Sequence, residues 1–305
     1  MDRAIYDAMR LVEDRHWWFA GRRQIVAQVL RRLSIKAAPT ILELGCGTGG
    51  NLEMLASMGS VIGVELDPEA ARVAQARAIA PILEGALPDR LPTDLGQFDL
   101  VMMLDVLEHI DDDVASLARV GTLLAENGCL VLAVPAFSFL WSNHDVVHHH
   151  RRRYTADLLG AVLTGAGLEP LRITYFNTLL FPLVAAARLA GRLLPERPTA
   201  AALRVPPRPV NALLQGVFSS EGRLLDHVDL PFGVSLLAVA RRPSLVRNGV
   251  ASPPYRGPHR HAERDTYAST ADAAGAGYQG WQVIGEHHPA LCSMRRTYSG
   301  SCALR

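Results

Sequence analysis

Thr40-Ile41-Leu42-Glu43-Leu44-Gly45-Cys46-Gly47-Thr48-Gly49-Gly50-Asn51 is the stretch whose reading decides the fold. A short apolar run, Ile41 to Leu44, carries one acid, breaks into a glycine-rich turn and reopens as a helical pattern with Leu52, Leu55 and Ala56. The order is strand, glycine turn, helix. Glycine has no Cβ and accepts positive φ, so such a turn brings backbone close to a nucleotide-like ligand, toward which the free N–H groups of the helix start point. Gly45, Gly47 and Gly50 also satisfy the dinucleotide spacing G-x-G-x-x-G, so the glycines alone leave the ligand open. Glu43 bears on the choice: a carboxylate two residues before the first glycine repels a pyrophosphate and attracts a cation.

Two further stretches extend the pattern. Ser60 to Leu66 reads as a second strand with Glu65 near its end, twenty residues after Gly45, where an acid accepts hydrogen bonds from ribose hydroxyls. Asp67-Pro68-Glu69 supplies an N-cap, a first-turn proline and a first-turn acid, which capping explains completely. Pro81 to Glu84 weakly marks a third strand, and Phe98 to Asp105 reads as a fourth, continued by Val106-Leu107-Glu108-His109-Ile110.

Glu43-Leu44-Gly45-Cys46-Gly47-Thr48-Gly49 resembles motif I of the class I S-adenosylmethionine-dependent methyltransferases. Phe98-Asp99-Leu100-Val101 followed by Asp105-Val106-Leu107-Glu108-His109-Ile110 resembles that family's motif after strand four. The resemblance covers about residues 1 to 243 and is closest to stand-alone bacterial methyltransferases with a His-Trp-Trp-Phe segment near the start. It implies an α/β fold, a Rossmann-like doubly wound sheet of seven strands in the order 3-2-1-4-5-7-6 with strand 7 antiparallel and helices on both faces.

It also implies S-adenosylmethionine as cofactor. Glu43, Gly45, Cys46, Gly47, Gly49 and Asn51 would hold its methionine part. Glu65, with Leu66 beside it, would take the ribose, and Asp105, Val106 and Leu107 would form the opposite wall of the crevice where strands one and four diverge. Many relatives carry an acid after strand three that contacts adenine; here the chain reads Gly85-Ala86-Leu87.

A methyl acceptor belongs to the loop after strand five, where Phe137 to His144 and His148-His149-His150-Arg151-Arg152-Arg153-Tyr154-Thr155 combine aromatic surface with donors. His-Arg-Arg-Arg-Tyr-Thr resembles the segment ahead of the last core helix in such enzymes, with Thr155 as N-cap and Gly167 as stop. The three arginines read either as structural ion pairs or as ligands for an anionic acceptor. His109, His150 and Tyr154 are the candidate catalytic residues, with His144 a further candidate base. No metal is expected. Asp105, Glu108 and His109 have a spacing that could present three ligands on a helical turn, as a resemblance to quinone-type O-methyltransferases suggests, but such groups commonly brace a loop.

The rest of the 305 residues bounds these readings. A net charge of +1 gives no bulk pull toward nucleic acid. The four cysteines form no C-x-x-C pair, which excludes a zinc signature or disulfide framework and suits a reducing, cytoplasmic setting. Met1 to Val12 has no long apolar stretch, and Leu179 to Ala187, broken by Pro182, is too short to span a membrane. Thr178 to Leu194 reads as an apolar kinked helix suited to packing or to a lipid-like acceptor, which leaves peripheral membrane contact open. Residues 1–38 read as an N-terminal helical cap carrying His16-Trp17-Trp18-Phe19, residues 39–243 as the catalytic domain, and residues 244–305 as a disordered tail containing Cys292 and Cys302. A proline-rich connector covers residues 195–209.

Three functions follow as expectations. The favoured one is methyl transfer from S-adenosylmethionine to an oxygen or nitrogen of a small-molecule or lipid-like acceptor. The others are an NAD-dependent oxidoreductase and a catalytically silent S-adenosylmethionine-binding protein.

Overall fold

The computed structural model describes residues 9–191 and 205–243. The tail expected over 244–305, with Cys292 and Cys302, and most of the proline-rich connector lie outside the described residues.

Strand-forming runs rich in Val, Ile and Leu are buried on both faces, as a sheet covered by helices on each side requires. β1 (Thr40–Leu44), β2 (Ser60–Glu65), β3 (Ile82–Glu84), β4 (Phe98–Leu104), β5 (Leu124–Pro135), β6 (Glu169–Phe176) and β7 (Ser235–Arg241) make one sheet in the order β3-β2-β1-β4-β5-β7-β6. All seven residues of β4, the central strand, are buried. β1 pairs in parallel with β2 and with β4, and β7 is antiparallel to both β5 and β6. The expected order and the reversed seventh strand are what the structure has.

Between the strands run α1 (Trp17–Arg31), α2 (Leu52–Ala56), α3 (Pro68–Ala76), α4 (Asp113–Leu123), α5 (Asn143–Val147), α6 (Ala156–Gly165), α7 (Phe181–Gly191) and α8 (Arg208–Leu225). Their starts follow local chemistry. Asp67 accepts from the amides of Glu69 and Ala70 to cap α3, Asp112 accepts from Ala115 N to cap α4, and Thr155 accepts from Leu158 N to cap α6. Pro182 falls in the first turn of α7, where proline costs no hydrogen bond, so it opens that helix instead of kinking it.

α1 is fixed from two sides. Ile25, Val26, Val29 and Leu30 are buried in the core, while Gly21 lets α8 come close: a Cβ there would lie 2.6 Å from Phe218 Cδ1. Trp17 N donates to Asn211 Oδ1 at 2.9 Å, which ties the start of α1 to α8. The result brings Trp18 and Arg22 to the carboxyl end of the sheet.

One boundary differs from expectation in a way that matters for the site. The fourth strand does not run on through Ile110 but stops at Leu104. Asp105 takes a left-handed φ of 57°, and Leu107–His109 closes a 3-10 turn. The apolar alternation of Val106, Leu107 and Ile110 reflects burial of that turn against the sheet end and not a strand.

Candidate active site

β1 and β4 are neighbours from which the chain departs in opposite directions, so a crevice opens beyond their carboxyl ends, where ligands bind in doubly wound sheets. It holds a cavity of about 1050 Å³ walled by Gly45 to Thr48, Glu65, Leu66, Ala86, Asp105, Val106, Trp18 and Arg22 on one side and by Glu108, His109, His144, His148, His150 and Arg188 on the other. That is at the upper end of the range for small-molecule pockets, roughly 300 to 1,000 Å³.

The glycine turn has the form a close-approaching ligand needs. Gly45 and Gly47 have φ of 69° and 57°. A Cβ on Gly45 would strike Val106 Cγ2 at 2.5 Å, whereas one on Gly47 would meet nothing within 4 Å. Gly45 is thus glycine for packing, and Gly47 keeps space in front of the turn clear. Glu65 steadies the turn from below: one carboxylate oxygen accepts from Gly47 N at 2.8 Å and the other from Asp67 N at 3.0 Å.

The end of the crevice between Trp18 and Asp105 is charged. Arg22 is buried, lies with its guanidinium carbon 4.6 Å from the centre of the Trp18 ring, and is ion-paired with Asp105. Burial lowers its pKa to about 10, partly offset by Glu43, so it remains a cation at neutral pH. Glu43 is itself buried beneath the turn. Its Oε1 accepts from Asn51 Nδ2 at 2.7 Å, its Oε2 has no hydrogen-bond partner, and burial raises its pKa to about 7. A cradle cleared by Gly47, with a guanidinium for a carboxylate, carboxylates for an ammonium and Glu65 for a ribose, fits S-adenosylmethionine.

The other wall is organised on Asp145, which is fully buried. Arg153 grips it with two nitrogens, at 2.8 and 3.0 Å, while donating a third bond to Ala136 O at 2.9 Å. Ser142 N donates to Asp145 Oδ2 at 2.9 Å, and His150 Nδ1 stands 2.8 Å from Oδ1. These partners hold the carboxyl far below the usual range against the opposing effect of burial. Around His150 stand three more imidazoles, with ring centres 4.8 Å away for His109, 5.8 Å for His148 and 6.0 Å for His144. Burial depresses His109 to about 3, His148 to about 4 and His144 well below its ordinary value, so these three are neutral at pH 7.

Glu108 completes this wall. It is fully buried, neither carboxylate oxygen has a hydrogen-bond partner, and burial raises its pKa to about 8. Glu108, His109 and His150 offer one ligand atom each within 4.8 Å of one another, a grouping able to hold a divalent cation.

Of the residues singled out from sequence, Gly45, Cys46, Gly47, Asn51, Glu65, Leu66, Asp105, Val106, His109 and His150 line the cavity. Gly49 packs instead against Leu52 and Arg77, Leu107 is fully buried, and Glu43 acts from beneath through Asn51. Tyr154 is set apart from the cavity: it is fully buried and its hydroxyl donates to Asp113 Oδ2 at 3.0 Å. The three arginines are all in ion pairs, Arg151 with Asp111, Arg152 with Asp113 and Arg153 with Asp145. Arg22, Asp145 and Arg188 were not singled out. The spacing of Trp18 and Arg22, one helical turn apart, carries a signal for stacking; the other two are joined by contacts 43 residues apart and left no local trace.

The comparisons with known proteins bear on the family and the fold. A family model described as "Methyltransferase domain" matches residues 18–173. The mitochondrial ubiquinone biosynthesis O-methyltransferase of Schizosaccharomyces pombe is 32% identical over 128 residues, 39% of this chain and 46% of the relative. The ubiquinone biosynthesis O-methyltransferase of Xanthomonas axonopodis pv. citri is 25% identical over 180 residues, 50% of this chain and 75% of that protein. The chain therefore spans less than half the length of the yeast relative. Among solved structures, a candidate methyltransferase of Haloferax volcanii in complex with the Trm112 methyltransferase activator superposes with a TM-score of 0.51 at 19% identity, covering 79% of this chain and 95% of that one, a likeness of fold.

Proposed function

The chain belongs to the methyltransferase-domain family, whose methyl donor is S-adenosylmethionine, and from that premise we propose that it methylates a hydroxyl oxygen of a small-molecule or lipid-like acceptor. One observation carries the reading: a single cavity joins the glycine turn and Arg22 to His150, whose ring is oriented by the buried Asp145. The names of the partly matching relatives favour oxygen over nitrogen as the acceptor atom.

When bound, S-adenosylmethionine supplies an activated methyl group on a sulfonium. Arg22 would hold the methionine carboxylate, Asp105 and the carbonyl edge of the turn the ammonium, and Glu65 the ribose hydroxyls. Ala86, Leu87 and Asp89, all in the cavity wall, would flank the adenine. Trp18 and the half-buried histidines of the cavity wall would exclude water from the line of transfer. The chain's main task is to align two reactants.

A hydroxyl acceptor must lose a proton as its oxygen bonds to the methyl carbon. Asp145 accepts from His150 Nδ1, which leaves Nε2 as the acceptor nitrogen facing the cavity, 4.0 Å from Glu108 Oε1. His150 is the general base in this reading and Asp145 its positioning residue. A second reading rests on the unpartnered carboxylate of Glu108: with His109 and His150 it would bind a divalent cation that lowers the acceptor hydroxyl's pKa.

The test is transfer of a labelled methyl group from S-adenosylmethionine into fractionated cell extract, repeated with a chelator and with added magnesium. Labelling of a hydroxylated compound, absent with His150→Gln, is expected. Transfer indifferent to the chelator favours the base, and transfer abolished by it favours the cation. Label appearing only on nitrogen would overturn O-methylation.

A further inference from the structure

α7 is an apolar helix without a fully buried residue, and it joins the acceptor wall through Val184 and Arg188, which share one face at a spacing of four. Arg188 Nη1 reaches Leu140 O and Ser142 Oγ at 3.3 Å and Asp145 Oδ2 at 3.4 Å. These are long contacts, in contrast to the 2.8 to 3.0 Å bonds by which Arg153 holds the same carboxylate. Asp145 would keep Arg153, His150 and Ser142 N if Arg188 turned away, so releasing Arg188 leaves no unpaired buried charge.

A guanidinium with a planar fork of donors, partly desolvated and weakly engaged, is suited to a carboxylate or phosphate. His150 meets Oδ1 of Asp145 and Arg188 meets Oδ2, so one carboxylate brings both residues to the same part of the cavity wall. We propose that Arg188 is the anion-recognition residue of the acceptor site, binding a carboxylate or phosphate carried by the same acceptor whose hydroxyl His150 deprotonates. The proposal rests on the methyltransfer reading above. It assigns the anion specificity to a residue of α7 whose ion pair is longer than those of Arg151, Arg152 and Arg153.

The test is calorimetric titration of the full chain, saturated with S-adenosylhomocysteine, with benzoate, phenyl phosphate and benzamide. At least one anion is expected to bind about tenfold or more tightly than the neutral amide, the size of effect a charge-assisted bond gives. Benzoate against phenyl phosphate tells carboxylate from phosphate. Arg188→Gln is expected to bring the three ligands within about twofold while leaving S-adenosylhomocysteine affinity intact, and Arg188→Lys, which keeps the charge and loses the fork, to fall between. Equal binding of the three by the unaltered chain, or an undiminished preference in Arg188→Gln, overturns the proposal and leaves the donor site standing. Failure of S-adenosylhomocysteine itself to bind overturns both.

Discussion

The guanidinium of Arg22 on α1 is ion-paired with the carboxylate of Asp105, 83 residues further on, at the point where β4 gives way to its closing turn. The pair joins the N-terminal helix to the switch point of the sheet and fixes a cation in the wall of the crevice. Arg22→Met removes the cation and leaves Asp105 unbalanced. The expected cost is about 2 kcal/mol of stability, below the value for a fully buried pair because Asp105 is partly exposed. S-adenosylhomocysteine affinity is expected to fall by about tenfold or more, since a charge-assisted bond to its carboxylate is lost. Chemical denaturation and calorimetry read the two effects separately.

Glu43 predicts a pH dependence. Burial raises its carboxyl from the ordinary 4.5 to about 7, so the folded state binds more protons than the unfolded state between those values. Its contribution is therefore fully present below about pH 4.5 and is lost as pH rises through 7. His109 and His148, depressed by burial, act in the opposite sense below about 6.5. Comparison with Glu43→Gln cancels the histidines. The substitution is expected to be near neutral at pH 4.5 and to stabilise by about 3 kcal/mol at pH 8. Urea unfolding at both pH values measures this, and a difference that does not grow with pH contradicts the assignment.

His150 and Tyr154 separate chemistry from structure. His150→Gln is expected to lower turnover by about 10²- to 10⁴-fold with donor affinity unchanged, as loss of a general base does. Tyr154→Phe removes only the bond to Asp113, which Arg152 still holds at 2.9 Å. It is expected to cost about 1 kcal/mol and leave turnover within twofold. A large turnover loss in Tyr154→Phe would put that hydroxyl back into the reaction.

What was legible in the sequence was local. Thr40 to Ala56 displayed strand, turn and helix in one short stretch, and Asp67 and Thr155 announced their helices by capping chemistry. The strand order was legible through family resemblance, not through pattern, because pairing of β7 between β5 and β6 has no short-range signature. The end of β4 was misread since Val106, Leu107 and Ile110 are apolar for a tertiary reason, burial of a 3-10 turn. Arg22 is buried for a reason with no local signature, since Trp18, Asp105 and Glu43 surround its charge only in the fold. The role of Asp145 exists only once His150 and Arg153, from the loop after α5, and Arg188, from α7, converge on it.

The central claim is that the space in front of Gly47 holds the methyl donor. A Cβ there meets no protein atom within 4 Å, and φ at this position is 57°, so Gly47→Val fills the crevice while adding local backbone strain of about 1 to 2 kcal/mol. Calorimetric titration with S-adenosylhomocysteine and with NADH, on the unaltered chain and on folded Gly47→Val, tests it most directly. One-to-one binding of S-adenosylhomocysteine, none of NADH, and loss of binding in the variant are expected; undiminished affinity in Gly47→Val, or preference for NADH, would contradict the account.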